Sequence, residues 1–137
     1  MSKSTDMNGI WSGMYNYDHF DQTVKFTAWL DDVLGALGGT TMEPNTFLED
    51  GPDELVADIK GARTGLDLAF YKVYAHERQA PLDPVKYEGE ANNAFTEVRG
   101  VWRFDRPDAP SGQFRLVRMV EGLASRKAWT RSEAVEP

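Results

Sequence analysis

Glu54-Leu55-Val56-Ala57-Asp58-Ile59-Lys60-Gly61-Ala62 alternates along its length, with Leu55, Ala57 and Ile59 apolar and Glu54, Asp58 and Lys60 charged between them. A period of two puts successive side chains on opposite faces of a strand, so one face of this segment is buried and the other is solvated. The pattern continues into Leu66–Ala75, where Leu66, Leu68, Phe70, Lys72 and Tyr74 share the inward face and Asp67 lies on the other. Eight such segments are readable: Gly9–Tyr17, Thr23–Leu30, Gly35–Glu43, Glu54–Ala62, Leu66–Ala75, Val85–Ala91, Thr96–Phe104 and Gln113–Val120. Turn-type residues separate them, and no helical pattern interrupts them. Consecutive strands on short links are antiparallel neighbours, and eight in order can remove both exposed edges by closing on themselves. The expected fold is therefore all-β, a closed eight-stranded up-and-down antiparallel barrel with a C-terminal helical or irregular tail. A two-sheet sandwich would need long crossing connections, which the spacing does not supply.

The chain of 137 residues suits one domain, and it carries no cysteine, 15 basic against 22 acidic side chains, and a net charge of −7. Disulfides and thiolate metal sites are thereby excluded, and the acidic balance disfavours nucleic acid as a partner. No secretory h-region and no 18-residue apolar run is present, so a cytoplasmic protein with no membrane partner is expected. Residues 1–8 read as a flexible lead-in, 9–120 as the barrel, and 121–137 as a tail that can form a short helix anchored by Trp129.

The same alternation assigns the other faces. Val24, Phe26, Ala28 and Leu30 point inward, as do Val85, Tyr87, Gly89 and Ala91, then Val98, Gly100, Trp102 and Phe104, and finally Phe114, Leu116 and Arg118. Alternate links of such a barrel share an end. The links Asp18–Gln22, Pro44–Asp53, His76–Pro84 and Asp105–Gly112 are long, while those around Asp31-Asp32, Arg63-Thr64-Gly65 and Asn92-Asn93 are tight. One end is lidded by long loops, and recognition is expected there.

Gly9-Ile10-Trp11 at the start of the first strand, with Arg118 on the last, resembles the lipocalin Gly-x-Trp and its partner arginine. Tyr15-Asn16, Phe26-Thr27-Ala28, Gly35-Ala36-Leu37-Gly38-Gly39-Thr40 and Trp102 are similar to strands of the avidins. The chain thus resembles the calycin-like barrels, the group of lipocalins, fatty-acid-binding proteins and avidins. The resemblance implies a ligand-holding barrel whose closed end is plugged by Trp11 and Arg118. Biotin binding is not carried over, because Glu43 stands where avidins place a small hydroxyl residue and their further tryptophans have no counterpart.

The inward polar residues are the candidates for function. Lys72 needs an acidic partner, a ligand anion or water, and Glu43 is the inward carboxylate of that region. An internal Glu43–Lys72 pair completed by tyrosine hydroxyls is one reading. The other is a ligand whose polar group meets Lys72, Glu43, Tyr15, Tyr17, Tyr74 and Tyr87 while its apolar part lies on Phe26, Leu68, Phe70, Trp102 and Phe114. The expected function is non-enzymatic binding of a small, mostly apolar or aromatic molecule, without cofactor or metal. A filled structural or interaction barrel, and an enzyme using Lys72, Glu43 or the tyrosines, are the alternatives. His19 and His76 sit on different loops and lack the spacing of a metal site, and Arg63 reads as solvated or capping backbone. The long loops hold Asp18, Asp21, Glu49, Asp50, Asp53, Glu77, Asp83, Asp105 and Asp108 against Arg78 and Arg106, a field that favours neutral or cationic ligands. Outward Ile10, Met14, Tyr71, Val73, Val101, Val117 and Met119 suggest a homodimer or higher oligomer formed through the outer wall or the tail.

Overall fold

Eight strands follow one another among the residues that the computed structural model describes, 5–18, 20–44, 53–74 and 84–119. They are β1 (Gly9–Tyr17), β2 (Phe20–Val33), β3 (Ala36–Pro44), β4 (Glu54–Thr64), β5 (Asp67–Tyr74), β6 (Val85–Ala91), β7 (Glu97–Phe104) and β8 (Ser111–Arg118). Each pairs antiparallel with the next, and β8 pairs back onto β1 from Trp11↔Arg118 to Tyr15↔Phe114, which closes the barrel. The barrel is therefore up-and-down, and every strand edge is satisfied. Most inward positions read from the alternation are buried, including Leu55, Ala57 and Ile59 on β4 and Leu68, Phe70 and Lys72 on β5, while Leu66, Tyr74, Phe104 and Arg118, near the two ends, are half-buried. Met14, Tyr71, Val73, Val101 and Val117 are exposed on the outer wall, and Ile10 and Met119 are half-buried. Among the described residues no helix is long and apolar enough to cross a membrane.

Two links differ from the sequence reading. The first was expected over Asp18–Gln22, but Tyr17 pairs with Phe20 and the link is only residues 18 and 19. Polar Asp21 and Gln22 look like part of that loop, yet β2 runs through them, and the register shift between Asn16 and Tyr17 leaves these two residues without a partner on β1. The second link turns at Leu34-Gly35 and not at Asp31-Asp32, which remain paired with Gly38 and Leu37. Leu34 and Gly35 have φ of 53° and 93°, the primed-turn geometry that suits the twist of a two-residue hairpin. Leucine is a poor signal for that geometry, whereas the two aspartates are a strong but misleading one. Asp32 still serves the turn, since its Oδ1 accepts the Gly35 amide at 2.9 Å.

The closed end is plugged by side chains. Trp11 is fully buried, its Nε1 donates to the Met7 carbonyl at 2.9 Å, and the Arg118 guanidinium lies 4.5 Å from its ring centroid. Arg118 also donates to the carbonyls of Phe95 (2.7 Å), Asn8 and Asp6. Met7 and Asn8, expected within a flexible lead-in, thus cover the end of the barrel, and Met7 is part of the core. Arg63 does cap backbone, donating to the Gly65 carbonyl at 2.8 Å. It also forms an ion pair with buried Asp32 at 2.6 Å and stacks over Phe95 at 5.3 Å, so it is not simply solvated. Burial pushes the Asp32 carboxyl up, but the hydrogen bond from Arg63, those from the Met7 and Gly35 amides and the Arg63 charge outweigh it and hold the group below its usual range.

Candidate functional site

Position along each inward row determines what reaches the open end. On β1 the row runs Trp11, Gly13, Tyr15, Tyr17 away from the plug, on β5 Leu68, Phe70, Lys72, Tyr74, and on β7 Val98, Gly100, Trp102, Phe104. On β3 it ends at Thr41 and Glu43. The inward charges and hydroxyls therefore gather in the upper half of the barrel, below the long links.

The two inward charges meet there. Lys72 is 0% and Glu43 1% exposed, and Lys72 Nζ donates to Glu43 Oε1. The same carboxylate accepts the Tyr74 hydroxyl on Oε1 at 3.0 Å and the Tyr15 hydroxyl on Oε2 at 2.6 Å. Three donors from two strands, Tyr15 on β1 and Lys72 and Tyr74 on β5, thus compensate one buried carboxylate, as burial of a charge requires. The ammonium is also surrounded by rings, with centroids of Phe26 at 4.7 Å, Tyr15 at 5.0 Å, Tyr74 at 5.1 Å and Tyr87 at 5.7 Å. Burial pushes the Lys72 ammonium below its usual range while the Glu43 charge and hydrogen bond oppose it. Burial raises the phenols as well, strongly for Tyr15, Tyr74 and Tyr87 and up to about 12 for half-buried Tyr17, with the Glu43 charge adding to each.

Beneath this cluster the barrel is full. The cavity bounded by Phe26, Ala28, Leu30, Thr41, Ile59, Phe70, Lys72, Tyr87 and Leu116 holds only about 10 Å³. Phe70 stacks on Tyr87 with centroids 5.0 Å apart, and Phe114 meets both rings edge-on. Gly13 makes this filling possible, since a Cβ there would fall 2.3 Å from Cζ of Phe26. Thr41 lines the same small cavity, and its buried Oγ1 has no hydrogen-bond partner among the described residues.

Above the cluster there is room. A depression of about 360 Å³ is lined by Tyr15, Tyr17, Tyr74, Val85, Tyr87, Trp102, Phe104, Arg106 and Pro110. Trp102 stands nearly perpendicular to Tyr17 (88°, 5.1 Å) and to Phe104 (86°, 6.1 Å), and its Nε1 is held by the Asn16 carbonyl at 2.9 Å. Two wider depressions, of about 430 and 490 Å³, lie on the outer wall, one beside Arg99 and Arg115 and the other beside Lys60 and Tyr71, and both are more open than the mouth.

Five of the sequence-derived ligand residues, Tyr15, Tyr17, Tyr74, Tyr87 and Trp102, come together around the mouth, with Glu43 and Lys72 as its floor. Phe26 and Phe70 line the small interior cavity, Phe114 packs on Phe70 and Tyr87, and Leu68 lies toward the closed end, paired with Arg63 and Gly89. Val85, Phe104, Arg106 and Pro110 also line the mouth and were not among those residues. The inward register of Val85 and Phe104 could have found them, but no motif marks the other two. Among the described residues no group of three His, Asp or Glu side chains could hold a metal ion. His19, His76, Glu49, Asp50, Glu77, Arg78, Asp83 and the tail with Trp129 lie outside the described residues, as does the side chain of Asp21.

No protein-family model matches the chain, and no curated protein or solved structure is significantly similar to it. The closed eight-stranded topology is compatible with a calycin-like barrel, and the likeness stands at that level.

Proposed function

We propose that the barrel binds a small, mostly apolar or aromatic molecule at its long-loop mouth. The observation that carries this reading is the aromatic depression of about 360 Å³ above a filled interior. Its volume falls in the range of small-molecule sites, roughly 300–1,000 Å³, and its walls combine large apolar surface with a few placed hydroxyls. The ligand rests on the Glu43–Lys72 cluster and does not descend past it. Binding without chemistry is favoured because Lys72 and Glu43 are committed to each other and shielded from solvent. The filled interior equally favours a second reading, a structural or interaction barrel with no ligand. Titration with Nile red, a neutral apolar fluorophore, separates the two. Saturable one-to-one binding that Phe104→Ala weakens and the outer-wall Met14→Ser leaves unchanged supports the mouth, whereas no saturable binding supports the filled barrel.

A further inference from the structure

We propose that the barrel carries a second site on its outer wall, a groove across β7, β8, β1 and β2 that takes a small organic oxyanion, its charged head on Arg99 and Arg115 and its apolar body on Met14 and Val101. The strand register builds it. Lys25 pairs with Met14, Met14 with Arg115 and Arg115 with Arg99, so one row across four neighbouring strands holds three cations and a methionine. The next row toward the mouth runs Thr23, Asn16, Gln113 and Val101 and holds no acid. Members of both rows line the depression of about 430 Å³, a volume within the range of small-molecule sites. Among the described residues, none that lines it is acidic.

Arg99 and Arg115 are direct cross-strand partners, and like charges so placed are destabilising unless an anion answers them. Glu97, one row toward the closed end, supplies part of that answer. Its Oε2 accepts Nε of Arg99 at 2.5 Å and Nε of Arg115 at 2.7 Å, and these hydrogen bonds hold the Glu97 carboxyl below its usual range. One carboxylate still leaves one of the two charges unanswered. Among the described residues the Nη groups of both arginines and the Lys25 ammonium have no hydrogen-bond or ion-pair partner. Paired guanidiniums match the oxygens of a carboxylate, sulfonate or phosphate. Asn16 Oδ1 accepts the Gln113 amide at 3.1 Å, so the group Asn16 has left to offer is its NH2, again a donor. Met14 and Val101 add exposed apolar surface beside the cations.

The charges of the wall are segregated in the same sense. On the outer face of β7, β8, β1 and β2 the described charges are Lys25, Arg99, Arg103 and Arg115 against Asp31 and Glu97. On that of β3 to β6 they are Lys60 and Lys86 against Glu54, Asp58, Asp67, Glu88 and Glu90. In a chain of net charge −7, an anion is therefore steered to the first wall, away from the acidic links of the mouth.

The test is fluorescence titration of the full chain at low ionic strength and pH 7.5 with 8-anilinonaphthalene-1-sulfonate, and with N-phenyl-1-naphthylamine, the same ring system without the sulfonate. The sulfonate is expected to bind saturably. Arg99→Gln with Arg115→Gln weakens it about ten- to a hundredfold, the span of a hydrogen bond to a charged group, and Phe104→Ala in the mouth leaves it unchanged. Val101→Glu, at an exposed position, weakens it by placing an anion in the groove while keeping both arginines. The neutral analogue is indifferent to the arginine substitutions. A neutral analogue that loses as much affinity as the sulfonate, or sulfonate binding that depends on Phe104 and not on the arginines, overturns the wall site. No saturable sulfonate binding also overturns it and leaves the mouth, probed by neutral Nile red, untouched. Phosphatidylserine vesicles that capture the protein through the same arginines while the free sulfonate does not bind would make the partner a lipid surface and overturn the small-molecule assignment.

Discussion

Replacing Lys72 by methionine keeps a long side chain in the core and removes the charge that compensates Glu43. The carboxylate is 1% exposed, so water cannot take the place of the ammonium, and it would retain only the hydroxyls of Tyr15 and Tyr74. Breaking one side of a buried pair costs about 3–5 kcal/mol, a large share of the roughly 5–15 kcal/mol that stabilises a domain. For a chain of this length that is a fall of roughly 10–20 °C in Tm. Removing both charges has a different expected outcome. Lys72→Met with Glu43→Gln keeps an oxygen for the tyrosine protons and strands no ion, so stability should return to within about 1–2 kcal/mol of the starting protein. The assay is a double-mutant cycle by urea unfolding, followed by tryptophan fluorescence and far-UV circular dichroism. A Lys72→Met variant within about 1 kcal/mol of the parent, or a double variant no more stable than that single one, would refute the pair as the electrostatic centre of the barrel.

Three further outcomes follow from the described geometry. Trp11→Ala should cost about 3–5 kcal/mol in urea unfolding, yet leave Nile red affinity unchanged in the folded protein, because plug and mouth are at opposite ends. Leu34→Asn should stabilise by roughly 0.5–1 kcal/mol, since leucine is held at φ 53° and fully exposed in a turn that suits Asn-Gly; a loss would mean that the leucine makes a contact in solution. Tyr15, Tyr74 and Tyr87 have folded values raised above the unfolded value of about 10, so their stabilisation is complete below pH 10 and is lost as pH rises toward the folded values, at roughly 1.4 kcal/mol per unit for each. Lys72, whose folded value is lowered, contributes the opposite slope only up to its unfolded value of about 10.4. In a Tyr71→Phe, Tyr17→Phe background, which removes the exposed and half-buried phenols, absorbance at 295 nm should thus rise together with loss of circular dichroism above pH 10, and tyrosine ionisation in that still-folded barrel would contradict the burial of the cluster.

The barrel was legible because one face of almost every strand is buried, so the period of two is printed on Leu55-Ala57-Ile59 and Leu68-Phe70-Lys72 without help from the rest of the chain. The meeting of Lys72 with Glu43 was legible for a related reason: two inward charges at similar heights have nowhere else to go. Turn chemistry carried less information, because Asp21-Gln22 fall within β2 at a register shift and Asp31-Asp32 stay paired while the chain turns at Leu34-Gly35. The roles of Met7 and of the Asp32–Arg63 pair were hidden, since neither follows a local period and both depend on segments far apart in sequence meeting at the closed end. Whether the interior is open depends on how Phe26, Phe70, Tyr87 and Phe114 nest against one another and over inward glycines such as Gly13, a sum of volumes that no alternation records. That sum moves the candidate site from the barrel interior to its mouth.

The location of the site is tested most directly by heteronuclear NMR during titration with Nile red. The ligand should perturb the indole Nε1–H of Trp102 and the ring signals of Tyr17 and Phe104, with intermolecular NOEs to those residues, while the methyl signals of Leu30, Leu68 and Leu116 below the Glu43–Lys72 pair stay in place. NOEs from the ligand to Leu68 or Leu116 with the mouth rings unmoved would place the ligand inside the barrel and contradict the site at the mouth.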